Sequence, residues 1–223
     1  MTQTWHDLLF AHWPIDAGTL RGKVPAAFEL DLCEGQGWIG IVPFFMTNVS
    51  PRGVPALPVV SEFPELNVRT YVTVGGKPGV YFFSLDAGSA LAVKAARILF
   101  NLPYFTASMQ VERVSSTVRY SSARREGRAE LIAEYAPAGP SSSPAIGSLE
   151  YFLTERYCLY HVDRRGRPYR LEIHHPPWPL QPATATFTRN TMADAASIAL
   201  PNRQPLLHFS TRQDMVAWGK EMI

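Results

Sequence analysis

The 223 residues suffice for one large domain or two small ones, and the 46 % hydrophobic and 18 % charged fractions are those of a globular protein. A net charge of +2, and two cysteines as far apart as Cys33 and Cys158, exclude a strongly basic nucleic-acid binder, a disulfide framework and a cysteine metal cluster. With no apolar run near 18 residues and no basic-then-apolar leader, the chain is expected to be cytoplasmic, without a membrane partner.

Leu8 to Trp13 reads as a first strand closed by Pro14, followed by a short helix that Asp16 caps and Pro25 prevents from continuing. Glu29 to Cys33 and Trp38 to Met46 read as strands around a Gly-containing turn, the second apolar on both faces and so covered on both sides. Residues 50 to 64, rich in proline, read as a loop long enough for a functional rim. Glu65 to Val74 and Val80 to Asp86 form a hairpin over Gly75 to Gly79. Ala87 to Leu102 is the one convincing helix, with Leu91, Ala95, Ile98, Leu99 and Leu102 on one stripe.

Strands follow at Tyr104 to Val114, Ser116 to Ser122, Arg128 to Tyr135, Arg156 to Val162 and Arg167 to His175, with a Pro/Ser/Gly-rich surface loop at Ala136 to Ser148. A short helix at Asn190 to Ala199 and a strand at Leu206 to Ser210 complete the chain, with no internal repeat. The pattern predicts a single mostly β (α+β) domain, 1–223. An antiparallel sheet closes into a barrel with two or three helices packed outside, a split sandwich being the competitor.

The segment from Glu65 to Val72 carries the most chemistry. Strand alternation places Glu65, Asn67, Arg69 and Tyr71 on one face and Leu66, Val68, Thr70 and Val72 on the other. The polar face is either the wall of a cavity, with the apolar face on a helix, or an outer sheet face wetted by solvent. Glu65 and Arg69 lie ~13 Å apart along the strand, so neither pairs with the other.

Phe63-Pro64-Glu65, Asn67-Val68-Arg69-Thr70-Tyr71-Val72, Phe82-Phe83-Ser84-Leu85-Asp86 and His174-His175-Pro176-Pro177-Trp178 together resemble the YqjF-like bacterial family nearly end to end. That family is in turn similar to acetoacetate decarboxylase, and Leu20-Arg21-Gly22-Lys23-Val24-Pro25 leading into Phe28-Glu29-Leu30-Asp31 belongs to the shared pattern. The resemblance implies a β-barrel-like fold with a largely enclosed pocket, and places Glu65 near the decarboxylase's active-site glutamate. The decarboxylase works through two adjacent lysines after its central helix, one of them forming a Schiff base. Here Tyr104 and Phe105 take those places, and neither can form an imine. Of the four lysines, only Lys94 lies near the pocket segments, and it shares a solvated helix sector with Arg97 and Asn101.

Other constellations are weaker. In the strand that ends at His175, alternation turns His175 inward, as a general base or a core histidine held by a carbonyl, and His174 outward. No metal site is expected, since adjacent strand histidines point apart. Asp86, beside the Glu65 strand, either shares a site with Glu65 or caps the following helix. Arg124, Arg125 and Arg128 read as a solvated turn. The expectation is a pocket for a small carboxylate or carbonyl compound. Arg69 is its anion anchor and Glu65 its proton carrier, with Asn67, Tyr71, Asp86, Tyr104 and His175 around the ligand. No cofactor is expected, and self-association into a homodimer or higher oligomer is left open. The alternatives are a non-catalytic binding or sensing domain, or an interaction protein whose cavity its own side chains fill.

Overall fold

A computed structural model describes residues 1–50 and 61–223 of the chain. Among the described residues twelve strands form one sheet: β1 (Thr2–Ile15), β2 (Glu29–Leu30), β3 (Gly37–Ser50), β4 (Phe63–Val74), β5 (Lys77–Ala87), β6 (Tyr104–Val114), β7 (Thr117–Arg124), β8 (Glu130–Pro137), β9 (Cys158–Val162), β10 (Pro168–His174), β11 (Gln181–Asn190) and β12 (Leu206–Met222). Among the described residues it is accompanied by the helices α1 (Ala17–Arg21), α2 (Ala90–Leu99) and α3 (Leu149–Thr154), with a 3-10 turn at Asp194–Ala196.

The hydrogen-bonded ladders close two circuits that share a wall. One runs β5-β6-β7-β8-β11-β12-β1-β3-β4 and back to β5; the other leaves β5 through β9 and β10 to β12 and returns by the same three strands. Long strands make this possible. The first part of β12 pairs with β11 at His208 and Phe209, and its later part pairs with β10 from Val216 to Met222. Likewise β5 pairs with β9 at Val80 and Tyr81, and with β6 from Leu85 to Ala87. Both β5 ladders to β6 and β9 are parallel, because the chain reaches those strands through connections that carry α2 and α3; a tight hairpin could only have produced antiparallel neighbours.

Alternation along the shared wall sends side chains into both circuits. Leu9, Ile41, Leu66, Val68 and Phe209 meet Tyr120, Leu131 and Tyr135 from the far strands and fill the larger circuit solidly. Leu8, Phe10, Val42 and Phe44 point the other way, as do Tyr71, Val80 and Phe82, into the smaller circuit, where two apolar groups stand with a cavity between them. The doubly apolar β3 is therefore covered on both sides, as its sequence predicts. The apolar face of β4, expected to pack on a helix, packs instead on the core of the larger circuit.

Local rules explain most of the elements. Asp16 caps α1 by accepting from the Thr19 amide at 2.9 Å. Gly75 and Gly76, at φ 57° and 77°, make the two-residue turn of the β4–β5 hairpin, which extends β5 back to Lys77. Most of the loop expected at 50–64 lies outside the described residues, and its last two residues, Phe63 and Pro64, begin β4. Two elements, α3 and β11, are not foreseen by the sequence pattern, and β12 runs twelve residues beyond Ser210 because its outer half, with polar and apolar residues in blocks, lacks the two-residue alternation that marks a strand. The helix expected at Asn190 to Ala199 is only the 3-10 turn.

The stripe on α2 does not enter a core. Leu91, Ile98 and Leu99 are 60 %, 66 % and 64 % exposed, and Val93 is the helix's buried residue. Leu91, Ala92, Ala95 and Leu99 instead form one side of the cavity. The periodicity located the helix correctly, but the helix spans a hollow where the stripe alone implied a packed face.

Candidate functional site

The cavity measures about 340 Å³ and lies between the two apolar groups of the smaller circuit. Strand β4 contributes Phe63, Glu65, Asn67 and Arg69 to its wall, every second residue, as alternation requires. The polar face of that strand therefore looks inward. Tyr104 and His175 also line the cavity, as do three polar residues outside the expected set, Gln3, Thr154 and Arg156.

Glu65 is 4 % exposed, between Phe44 on β3 and Ala87 on β5. Its Oε2 accepts from the Tyr104 hydroxyl at 2.9 Å. Burial pushes the carboxyl up to about 8; the Tyr104 hydrogen bond opposes this and the Asp86 charge adds to it. At neutral pH Glu65 is thus mostly a neutral acid, able to donate from its other oxygen. Burial and the neighbouring carboxyl raise the Tyr104 phenol well above its ordinary range, so it stays a neutral donor.

Arg69 is held at the other end of this wall. Its Nη2 donates to the Leu153 carbonyl at 3.0 Å, at the C-terminal end of α3, and the guanidinium lies 5.4 Å from the Phe10 ring centre and 5.7 Å from that of Tyr71. Among the described residues no carboxylate pairs with it, and its Nε has no hydrogen-bond partner. The adjacent Arg156, 4 % exposed, differs: Asp31 pairs with it at 2.5 Å, and its Nε donates to the Phe152 carbonyl. Asn67, one step from each of Glu65 and Arg69 along the face, has a buried Oδ1 without a partner.

Tyr71 lies on the same face but behind Arg69, fully buried and off the cavity surface. Its hydroxyl donates to the Leu153 carbonyl at 2.8 Å, so the 2.7 Å contact with His12 Nε2 has His12 as donor. That assigns the Nε2–H tautomer and leaves Nδ1 an unpaired acceptor. Burial and the Arg69 charge lower the His12 ring well below its ordinary range, in keeping with a neutral imidazole. Gly40, in register between His12 and Arg69, makes the room: a Cβ there would meet the His12 ring at 3.0 Å and Arg69 Cγ at 3.4 Å.

The structure does not place Asp86 with Glu65. A bulge in β5 shifts the register between Val68 and Arg69, so Phe82 faces the cavity while Asp86, opposite Leu66, turns into the larger circuit. There Arg124 holds it through two bonds, at 2.6 and 3.0 Å, while lying 3.9 Å from the Phe105 ring centre. Arg124 is therefore a buried partner of Asp86, although the sequence suggested a solvated turn. His175 faces the cavity as alternation requires and is 2 % exposed; two carbonyls, Pro176 at 2.8 Å and Arg156 at 3.3 Å, approach its ring nitrogens, and burial lowers its pKa. His174 is exposed. Among the described residues no lysine lines the cavity, Lys94 is on the exposed side of α2, no group of His, Cys, Asp or Glu is arranged to hold a metal, and no helix is long and apolar enough to cross a membrane.

A closed mixed sheet with a hollow in one circuit defines the acetoacetate decarboxylase-like class of fold. The chain is similar to the enduracididine biosynthesis enzyme MppR complexed with pyruvate, with a TM-score of 0.69 at 11 % identity over 99 % of this chain and 89 % of that one. It is also similar to acetoacetate decarboxylase from Legionella pneumophila, with a TM-score of 0.68 at 10 % identity over 100 % of this chain and 86 % of the other. An acetoacetate decarboxylase-like enzyme from Sphingomonas wittichii RW1 gives 0.68 at 12 % identity, over 100 % and 92 %. At such identities the likeness shows the fold alone. The chain belongs to the DUF2071 family, described as an uncharacterized conserved protein, whose model matches residues 2–214. It is 48 % identical over 219 residues to the uncharacterized protein YqjF of Bacillus subtilis (strain 168), covering 98 % of this chain and 90 % of that one.

Proposed function

We propose that this protein binds a small organic acid in the cavity, with Arg69 on the carboxylate and the neutral acid Glu65 positioned to give or take a proton at an oxygen-bearing carbon. The observation that carries this reading is a charge imbalance in the wall. Arg156 has its own carboxylate, whereas Arg69 has none and Glu65 is neutral, so the cavity keeps a net positive charge in apolar surroundings, where an anion is favoured. A pKa near 8 suits Glu65 to proton transfer near neutral pH. The pyruvate bound to MppR is a carboxylate, and supports a carboxylate ligand here. With Tyr104 and Phe105 after α2, and no lysine on the wall, any chemistry proceeds without an imine.

The test is titration of a panel of monocarboxylates and 2-oxo acids, followed by tryptophan fluorescence. Arg69→Met is expected to weaken binding at least tenfold. Glu65→Gln is expected to keep binding and to abolish any turnover. Carboxylate binding that ignores Arg69 would refute the reading, and a Glu65→Gln protein with unchanged turnover would remove the catalytic part, leaving a binding module.

A further inference from the structure

We infer that the acid has an extended apolar body, so that fatty or arylalkyl carboxylic acids are the ligand class in place of three- or four-carbon oxo acids. This rests on the carboxylate reading above. The evidence is the path that leaves Arg69. Its guanidinium lies over Phe10, and Phe10 meets Trp178 edge-on with ring centres 4.8 Å apart. Trp178 stacks on Trp5 at 5.9 Å, and Trp5 meets the edge of Phe44 at 5.6 Å. All four rings line the cavity, so a continuous aromatic track runs from the cation along one side of the hollow.

The track ends at Phe44, directly across the β3–β4 ladder from Glu65. Opposite lies α2, which joins the same apolar group through Ala92 and Val93 and extends to the second through Phe100. An apolar chain lying on the track meets one acid on its way, Glu65, and that acid is uncharged near neutral pH. The exposed Leu91 and Leu99 line the cavity from α2, so its rim is greasy too. A cation at one end, aromatic rings along the side and leucines at the rim together match an amphiphilic acid. A pyruvate-sized ligand would occupy only the space beside Arg69 and leave the aromatic track unused.

The experiment is calorimetric titration of the intact protein with butanoate, hexanoate, octanoate and decanoate, with the alcohols of matching chain length as a second arm. Affinity is expected to rise about fourfold per added methylene until the chain outgrows the hollow. Ala95→Trp, which fills part of the hollow from its α2 side, is expected to flatten that rise. A flat or falling series with Arg69-dependent binding would overturn the extended body and leave the carboxylate reading standing. Alcohols that bind as tightly as the acids would overturn the carboxylate reading itself. An Ala95→Trp series as steep as that of the wild type would move the chain off the track and overturn the inference.

Discussion

Glu65 and Asp86 show how one kind of side chain, a buried carboxyl, acquires two different meanings from its surroundings. Glu65 has a phenol and no cation, so burial decides its state and lifts it to about 8. Its folded pKa exceeds its unfolded one, so the stability linked to it is full below about pH 4.5 and is lost as pH rises through about 8. Urea unfolding of Glu65→Gln should lack this loss, and the variant should gain on the wild type by a few kcal/mol between pH 5 and 9. Acid binding at Arg69 should likewise fall through pH 8 in the wild type and stay level in Glu65→Gln. Asp86 is as deeply buried but has Arg124, whose guanidinium opposes the upward push of burial. Arg124→Met should therefore cost about 3–5 kcal/mol in a urea titration near neutral pH, because it leaves a carboxyl alone in the interior. Gly40→Ala should crowd both His12 and Arg69. We expect a destabilisation of about 1–3 kcal/mol, with weaker carboxylate binding at the same time.

Among the elements, α2 and the bulged β5 matter most. The N-cap of α2 is Ser89, whose hydroxyl accepts from the Ala92 amide, and few of the helix's side chains are buried. Ser89→Ala should cost about 1 kcal/mol. Because α2 forms a side of the cavity and not part of a core, hydrogen exchange should show the loss in α2 amides first, while β1 and β3 keep their protection. The bulge in β5 reverses the facing of every residue after it, and so separates Asp86 from Glu65 even though their strands are paired.

At the scale of the molecule, the two circuits share five strands, and the same backbone separates a solid core from a hollow one. Neither circuit keeps its sheet closed without that wall, so unfolding should be cooperative. Tryptophan fluorescence, to which Trp5 and Trp178 in the cavity contribute alongside Trp13 in the larger circuit, and far-ultraviolet dichroism should give coincident urea transitions. In Leu66→Ala, both should shift together by about 2–5 kcal/mol. Two separate transitions would mean that the circuits fold independently.

The amino-acid order alone determined what local physics controls. It set the strands from β1 to β10, the short capped helix at Asp16, the hairpin at Gly75 and Gly76, and the alternation that places Glu65, Asn67 and Arg69 on one face and turns His175 inward. Resemblance located Glu65 at the position of an acid and marked the missing lysines. What alternation cannot show is which of two buried sides is empty, because a wall shared by two circuits reads as apolar on one face and mixed on the other. Only the three-dimensional packing could tell that Leu66 and Val68 meet a full core while their neighbours meet a cavity. The same holds for the β5 bulge that sends Asp86 to Arg124, for Arg156 and Thr154 joining the site from the end of α3, and for an apolar helix stripe that faces a hollow. Each depends on a contact between residues distant in sequence, and short-range patterns carry no record of it.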